Sequence, residues 1–405
     1  MRVCFLTHYY PPEVGAPQAR ISALARALAA RGASVAVHTG FPHYPDGAIK
    51  PPYANRPYLV EWDGPVKVVR TAVYPAPNRG FARRIANHTS LALSAVVGAS
   101  LTGPADVVVA ESPPLFTAAA GVAYAGIKRA ALVLHVADLW PASAVELGAL
   151  SDPRAIRAAT WLEHAVYRRA AAIVAPADGI TSVLEHLPAS RGKVHRLGPS
   201  VDASAFDPSA RGGDGRLRVL YAGTIGLAQG IDTLFEAARI AGPDVIGVTV
   251  AGDGADAPLL RERLRSERIE NVEMIGSVPA GSVPRLYADA DAAAVLLRDR
   301  SIFHGVIPTK LLDAMAAGRA IVLSARGEAA RLVTDSGSGV VVAPEDADAL
   351  AAAFAELAAD RRRTAALGAA GRACALERFD RERVTARWEE LLDDVATASG
   401  GTRRA

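Results

Sequence analysis

Short apolar segments alternate with helical segments along almost the whole of this 405-residue chain. Arg2–Leu6, Asp106–Ala110 and Ala131–Val136 are typical of them, hydrophobic at nearly every position rather than at every second one. Strands of this kind, joined by helices, occur in parallel sheets whose two faces are both covered. The alternation therefore predicts an α/β fold made of doubly wound, Rossmann-like parallel sheets.

The alternation stops once, near the middle of the chain, where residues 199–215 are rich in Gly, Pro, Ser and Asp. Such a stretch is typical of a linker between domains, and the chain is also too long for one typical core. We therefore predict an N-terminal domain, a linker, a C-terminal domain and a final helix that packs back toward the first domain. The predicted boundaries are 1–198, 199–215, 216–378 and 379–405.

Helices are predicted between the strands, and two of them span Phe81–Leu101 and Asp346–Leu367. The sheets are expected to contain parallel strands throughout, with ligands at the edge where the strands end, because loops and helix starts converge there.

Charge and cysteine content exclude several classes of partner. The net charge is only +3, so no global basic field points to nucleic acid. The two cysteines, Cys4 and Cys374, form no disulfide framework and suit a reducing compartment. The apolar segment at the start of the chain is too short for a signal peptide and is interrupted by His8. No apolar run is long enough to cross a membrane. We therefore expect a cytoplasmic protein.

Motifs for metal or cofactor chemistry are missing from the sequence. It contains no zinc-type Cys/His cluster, no P-loop, no G-x-G-x-x-G and no nucleophile elbow. Asp289 and Asp291 are interpreted as turn and helix-end residues rather than as metal ligands. We expect neither a metal nor a cofactor.

Lys310 is the most informative single residue. Pro308 and Thr309 lead into a short helix, and Lys310 lies in its first turn, where proteins usually place acids. A cation there, beside free backbone N–H groups, favours an anion such as phosphate. Asp313 follows one turn later on the same face and could accept hydrogen bonds from sugar hydroxyls. Together they suggest a diphosphate joined to a ribose; the alternative is an ordinary helix with a solvated lysine.

Loops after other predicted strands supply small residues that let the backbone approach a ligand. Gly15 and Ala16 do so in the first domain, although a simple surface loop is an equal alternative. In the second domain the candidates are Gly223, Thr224 and Gln229, with Gly276 and Val278 expected to hold a base through backbone groups.

His135, Asp138 and Trp140 end a buried strand of the first domain. Aromatic faces pack on sugar C–H groups, and carboxylates accept hydrogen bonds from hydroxyls, so the cluster indicates a sugar site. The alternative is that His135 is a structural core residue.

A basic segment with Arg79, Arg83 and Arg84 precedes the apolar stretch 85–101. This arrangement is typical of a helix that docks on anionic lipid, and also of an ordinary core helix, which we favour. Peripheral contact with the inner membrane stays open.

These segments together resemble the retaining nucleotide-sugar glycosyltransferases of family 4, which have the GT-B fold. The resemblance covers nearly the whole chain and is strongest to the branch that builds surface polysaccharides on polyprenyl-diphosphate-linked acceptors. The segments that carry it are Gly15 to Arg20, Asp138 to Pro141, Tyr221 to Gly230, Gly252 to Gly254, and Pro308 to Gly318.

The resemblance implies a hexosyltransferase that moves a sugar from a nucleotide-sugar, expected to be a UDP-sugar, to a hydroxyl of a saccharide acceptor. Lys310 would stabilise the departing diphosphate, with His135 or Asp138 orienting a sugar. Arg20 and Trp140 would contact the acceptor. Donor contacts would come from Gly15, Ala16, Gly223, Thr224, Gln229, Gly276, Val278, Pro308, Thr309, Lys310 and Asp313.

The chain also departs from the family pattern. Gly305 and Asp313 stand where the family has two glutamates, and Gln229 stands where a lysine is usual. The sequence leaves open the donor base, the sugar, the acceptor, the linkage and the oligomeric state. The alternatives are a soluble or natural-product acceptor, a GT-B epimerase, a sugar-phosphate transferase, or a catalytically weakened sugar-binding protein.

Overall fold

The computed structural model describes residues 1–13, 15–44, 47–76, 81–146, 148–209, 215–226 and 228–401. The chain divides into two compact units. The first unit contains Met1–Gly198 together with the chain from Val384 onward, and the second contains Pro199–Arg383. The first unit is therefore assembled from both ends of the sequence.

The first unit is built on a sheet that, in the described residues, has eight strands in the order β3-β4-β2-β1-β5-β6-β7-β8. All neighbours are parallel except β3, which runs antiparallel to β4. The strands are β1 (Arg2–Leu6), β2 (Ser34–Gly40), β3 (Tyr58–Asp63), β4 (Val66–Thr71), β5 (Val107–Ser112), β6 (Ala131–Val136), β7 (Ala172–Ala175) and β8 (Val194–Arg196).

Helices cover both faces of this sheet. They are α1 (Ala16–Ala30), α2 (Phe81–Val97), α3 (Leu115–Lys128), α4 (Ala142–Glu146), α5 (Pro153–Arg169), α6 (Asp178–His186) and, much later in the chain, α14 (Arg381–Gly401). On one face, Trp388 and Leu392 of α14 join the core formed by Val3, Phe5 and Val109. The C-terminal helix is thus part of the hydrophobic core of the first unit.

The second unit has a parallel sheet with the order β11-β10-β9-β12-β13-β14 in the described residues. Its strands are β9 (Leu217–Ala222), β10 (Ile246–Ala251), β11 (Val272–Gly276), β12 (Ala292–Leu296), β13 (Ala320–Ser324) and β14 (Gly339–Val342). Its helices are α7 (Ile231–Ala241), α8 (Ala257–Ser266), α9 (Val283–Asp289), α10 (Thr309–Ala316), α11 (Glu328–Ser336), α12 (Ala347–Ala359) and α13 (Arg361–Cys374).

Side chains of the strands other than β11 in the second sheet alternate between two cores. Val219 and Tyr221 face one core, with α7, α8 and α12, whereas Leu220 faces the other, with α9, α10 and α11. Both faces are covered, which explains why the strands are hydrophobic at successive positions.

The strand order reverses at one point in each sheet. In the first unit this point lies between β1 and β5, and in the second between β9 and β12. Loops leave in opposite directions at such a point and open a crevice outside the carboxyl ends of the strands. We therefore expect functional residues in the segments that follow β1, β5, β9 and β12.

Several predicted elements are wrong in detail. The first sheet is not wholly parallel, because β3 pairs antiparallel at its edge. The predicted helix Phe81–Leu101 ends at Val97, and a 3₁₀ turn follows at Ala99–Thr102. A Cβ at Gly98 would lie 2.9 Å from Thr71 Cγ2, so the chain bends where it approaches β4 closely.

The predicted helix Asp346–Leu367 is two helices, α12 and α13. They meet at Asp360, whose carboxylate accepts a hydrogen bond from the Arg363 amide and so starts the second helix. The helix α4 was not predicted.

The predicted linker is only partly a free connection. Val201, Ala203 and Phe206 are buried in a core of the second unit, and the Val201 amide donates to the Phe379 carbonyl. The rest of the linker prediction includes residues 210–214, which lie outside the described residues.

Candidate active site

The N-terminus of α10 carries Lys310 in its first turn, as expected. Pro308 precedes the helix in an extended conformation, and the first turn contains no acidic residue. Within the described residues, no side chain caps the free N–H groups there. The half-positive helix end and the lysine charge therefore lie together without an acid to neutralise them.

The Lys310 ammonium lies against Tyr221, the fifth residue of β9. Its Nζ is 2.5 Å from Tyr221 Oη and 4.0 Å from the centroid of the ring. No carboxylate of the described residues lies within ion-pair distance of it. Withdrawal from water lowers the pKa of Lys310 to about 7. A partly buried cation without a counter-charge is suited to binding an anionic ligand.

Gly223 follows β9 and forms the other side of the lysine site. A Cβ at this position would lie 2.9 Å from Lys310 Cε, and its φ of 146° is one that side chains rarely adopt. Gly252, after β10, approaches Gly223 even more closely, because a Cβ there would lie 1.9 Å from the Gly223 carbonyl oxygen. The Gly252 amide in turn donates to the Gly276 carbonyl at 2.8 Å. Three predicted glycine turns thus meet at one edge.

Asp313 lies one turn after Lys310, and burial raises its pKa to about 7. Its neighbour Tyr287 of α9 is fully buried and donates its hydroxyl to the Lys310 carbonyl at 3.1 Å. No described residue forms an ion pair or side-chain hydrogen bond with the Asp313 carboxylate. The role of Asp313 toward a ribose stays a prediction.

The remaining predicted donor residues are arranged as follows. Thr224 uses its carbonyl oxygen to accept from Tyr221 Oη at 2.6 Å, and Thr309 is exposed. Gln229 Oε1 accepts from the Gly226 amide at 3.2 Å and so closes its own loop. Val278 packs against the core that contains α10.

Arg298 follows β12 at the same reversal point and was not predicted. Unlike Lys310, it lies between two acids, 2.9 Å from Asp232 and 2.6 Å from Glu345. Its charge is balanced within the chain, whereas Lys310 has no carboxylate within ion-pair distance among the described residues.

A second cluster lies at the reversal point of the first unit and centres on Glu111 at the end of β5. Glu111 accepts from Arg20 Nη2 at 3.1 Å and from the Thr7 hydroxyl, and His135 Nδ1 is 3.7 Å away. Burial alone would raise the pKa of Glu111, but His135, the Arg20 charge and Thr7 together hold that pKa below its usual value. Glu111 is therefore ionised although it is buried.

His135 belongs to this cluster, but Asp138 does not. Burial and the Arg20 charge lower the pKa of His135, so its imidazole stays neutral, and its ring packs 5.8 Å from that of Trp388. The Asp138 carboxylate instead accepts from Ser143 Oγ at 2.7 Å. Trp140 is half-buried in the turn that follows. The predicted trio is thus split.

Gly15 and Ala16 lie at the start of α1, and this helix places Arg20 beside Glu111. A Cβ on Gly15 would lie 2.6 Å from Gln18 Oε1, so the glycine leaves room for that side chain to fold back. Whether these residues also contact a donor stays a prediction.

A buried hydrogen-bond chain beside β1 was also not predicted. Asn87 donates to the Tyr74 carbonyl and to His43 Nε2, so its carbonyl oxygen accepts from His8 Nε2 at 2.7 Å. His43 Nδ1 donates to the Phe41 carbonyl. These bonds fix both histidine tautomers and leave His8 Nδ1 as a buried lone pair with no partner among the described residues.

No group of three or more His, Cys, Asp or Glu side chains in the described part of the chain could hold a metal ion. Asp291, for example, is engaged by Arg218 at 2.9 Å and by Arg361 at 3.2 Å. The metal-free expectation stays a prediction. No described helix is long and apolar enough to cross a membrane.

Family models match almost the entire chain. A model described as a glycosyl transferase 4-like domain matches residues 15–200, and one described as glycosyl transferases group 1 matches residues 206–373. The chain belongs to glycosyltransferase family 4.

Two curated relatives illustrate the similarity. A GDP-mannose-dependent phosphatidylinositol monomannoside mannosyltransferase of Mycolicibacterium smegmatis is 33% identical over 225 residues, which are 54% of this chain and 58% of the relative. The chain thus spans little more than half of that relative. A putative colanic acid biosynthesis glycosyl transferase of Escherichia coli, WcaI, is 24% identical over 85% of this chain and 88% of the relative.

Solved structures share the GT-B fold of this glycosyltransferase. Sucrose-phosphate synthase from Thermosynechococcus elongatus aligns with a TM-score of 0.74 at 18% identity, covering 98% of this chain and 99% of the other. HepE of Anabaena, in complex with UDP, aligns with a TM-score of 0.69 at 17% identity, covering 97% and 100%. At these identities the likeness concerns the fold.

Proposed function

We propose that this glycosyltransferase is a retaining hexosyltransferase that transfers a sugar from a UDP-sugar to a hydroxyl of a saccharide acceptor. The observation that carries the proposal is the Lys310 ammonium, which lies in the first turn of α10 against Tyr221 and Gly223 with no acidic partner in the described residues. A diphosphate supplies the negative charge that this site lacks.

In the proposed reaction, the acceptor hydroxyl attacks the anomeric carbon on the face from which the diphosphate leaves. The electron pair of the breaking carbon–oxygen bond goes to the diphosphate, and a diphosphate oxygen takes the proton of the hydroxyl. No protein nucleophile is required. The Lys310 ammonium and the N–H groups of α10 stabilise the growing negative charge.

The donor base has two candidates, each with its own support. HepE, which shares the fold, is described in complex with UDP. The mannosyltransferase relatives that match over about half of the chain are described as GDP-mannose-dependent. We place the UDP-sugar first and GDP-mannose second. A thermal-shift panel of UDP, GDP and dTDP separates them, because a ligand at 100 times its Kd adds about 2.7 kcal/mol to stability.

A lipid-linked saccharide is the proposed acceptor. The Escherichia coli relative is described as acting in colanic acid biosynthesis, and the mycobacterial one on a phosphatidylinositol mannoside. The helix α2 adds support from this chain, because Arg83 and Arg84 are exposed near its start and Leu93 and Val97 are exposed toward its end. Arg79 lies outside the described residues.

Replacement of Lys310 tests the proposed function. Lys310→Met keeps a long unbranched side chain but removes its charge, and we expect turnover to fall by about 100- to 1,000-fold, the usual cost of removing one oxyanion-type contact. Turnover is measured as release of UDP or GDP from the nucleotide-sugar identified by the panel. Arg265→Met is the matched control, because Arg265 lies on the exposed side of α8. Equal turnover in both variants would refute the assignment.

A further inference from the structure

We infer that Tyr221 is a positioning residue, which holds the Lys310 ammonium beside Gly223 so that it meets the β-phosphate of a bound nucleoside diphosphate. The inference rests on the proposed function, which places the diphosphate at Lys310. It adds a second residue, from a different element, on which the grip on the phosphate depends.

The hydrogen bonds of Tyr221 have a defined direction. Its hydroxyl carries one hydrogen, and this hydrogen is donated to the Thr224 carbonyl oxygen at 2.6 Å. Toward Lys310 Nζ, at 2.5 Å, the hydroxyl oxygen therefore acts as acceptor. Tyr221 is fully buried within β9, so the acceptor is fixed in place before any ligand binds.

The lysine end is enclosed on two sides. The Tyr221 ring has its centroid 4.0 Å from Nζ, a distance at which an ammonium is attracted to an aromatic face. The space that a Cβ of Gly223 would occupy is also only 3.0 Å from Nζ. A lysine is flexible and loses rotamer freedom when it binds a phosphate. An ammonium that is already held loses less, and this is preorganisation.

Other nearby groups do not share this task. Tyr287 donates to the main-chain carbonyl of Lys310, not to its side chain. Asp313 lies one turn further along α10, and no ion pair links it to Lys310 in the described residues. Tyr221 is thus the side chain whose hydroxyl sets the position of the ammonium.

The test compares nucleoside monophosphates with diphosphates. The Kd of the monophosphate divided by the Kd of the diphosphate measures how much the β-phosphate contributes to binding. Calorimetric titrations of the full chain with UMP and UDP, and with GMP and GDP, give the ratio for each pair. Tyr221→Phe keeps the ring and removes the hydroxyl, and we expect it to lower the Kd ratio of the binding pair about tenfold, as for loss of a hydrogen bond to a charged group. Tyr287→Phe, an equally buried Tyr-to-Phe change, is expected to keep the wild-type ratio.

Gly223→Ala would place a methyl 3.0 Å from the same ammonium and is expected to lower the ratio as well. It serves as the second variant if Tyr221→Phe does not fold. The positioning role would be overturned if a folded Tyr221→Phe keeps the wild-type Kd ratio while Lys310→Met lowers it. That result would leave the proposed function intact. A wild-type ratio in Lys310→Met, or failure of both nucleotide pairs to bind the wild-type chain, would overturn the proposed function itself.

Discussion

Lys310 and Asp313 are both held away from water on the same short helix. Burial lowers the pKa of the first to about 7 and raises the pKa of the second to about 7. Near neutral pH the charged form of each group is therefore less stable in the folded chain than in the unfolded chain, which lowers the free energy of unfolding. Sites that bind charged ligands often carry such a cost, and removing it raises stability at the expense of function.

Asp313→Asn is expected to raise the Tm of the ligand-free chain at pH 8. The folded state binds a proton on Asp313 up to about pH 7, whereas the unfolded state releases it near its ordinary pKa of about 3.9. The stability difference between variant and wild type therefore grows as the pH rises through this window and is constant above it. Calorimetric scans at pH 4 and pH 8 check this, and a Tm difference that is larger at pH 4 would contradict it.

The sequence made Lys310 visible because a cation in a first helical turn breaks a local rule. Glu111 broke no such rule. The predicted strand Asp106–Ala110 ended just before it, and its partners Thr7, Arg20 and His135 come from distant parts of the chain. A buried carboxylate is recognised by what surrounds it, and those neighbours are known only once β1, β5 and β6 are placed side by side.

Among the elements, the turns after β9 and β10 depend on each other. The carbonyl of Gly223 fills the space where a Cβ of Gly252 would stand, and the Gly223 amide donates to the Ala251 carbonyl at 2.9 Å. The lysine site is therefore built on two backbone turns packed without an intervening side chain.

Gly252→Ala is expected to destabilise the second unit and to weaken nucleotide binding. The new methyl would lie 1.9 Å from the Gly223 carbonyl oxygen, so the Gly223 turn, which also packs against Lys310, must shift. Gly242→Ala is the matched control, because Gly242 also has a positive φ but nothing within 4 Å of its Cβ position. We expect the control to cost only backbone strain, about 1 kcal/mol or slightly more. Urea unfolding and UDP or GDP titration measure both, and equal losses would argue against steric coupling of the turns.

The elements that the sequence predicted well are those with continuous apolar runs, such as β1 and β6. The edge strand β3 was not predicted, because exposed residues such as Tyr58 and Trp62 alternate with half-buried ones. The strands of a parallel sheet were expected to be continuous apolar runs instead. The break at Asp360 was missed because the sequence on both sides favours helix. Boundaries of this kind are set by capping and close packing, which the hydrophobic pattern does not record.

On the scale of the whole molecule, the sequence predicted two Rossmann-like domains and the family to which they belong. It also placed a helix at the end of the chain. In the structure this helix supplies Trp388, 4% exposed, to the core of the first unit. The fold was predictable because strand–helix alternation is repeated many times, whereas each contact of α14 occurs once.

Trp388→Ala is expected to lower the stability of the first unit by about 3–5 kcal/mol, the usual cost of removing a buried aromatic side chain. Trp161→Ala is the matched control, because Trp161 is 67% exposed on α5 of the same unit. Calorimetry with and without UDP or GDP separates the units, since the nucleotide is expected to raise only the transition of the second. An equal shift in both variants would contradict the place of α14 in this core.

Both ends of the second unit join the first, since the chain passes into it at Pro199 and leaves it after Arg383. The half that holds Lys310 is therefore one uninterrupted insert in the other half. Exchange of this insert between relatives requires only two junctions. Every strand of the first unit's sheet then still comes from the recipient protein. Chimeras built this way would test which half sets the sugar-nucleotide preference and which half sets the acceptor preference.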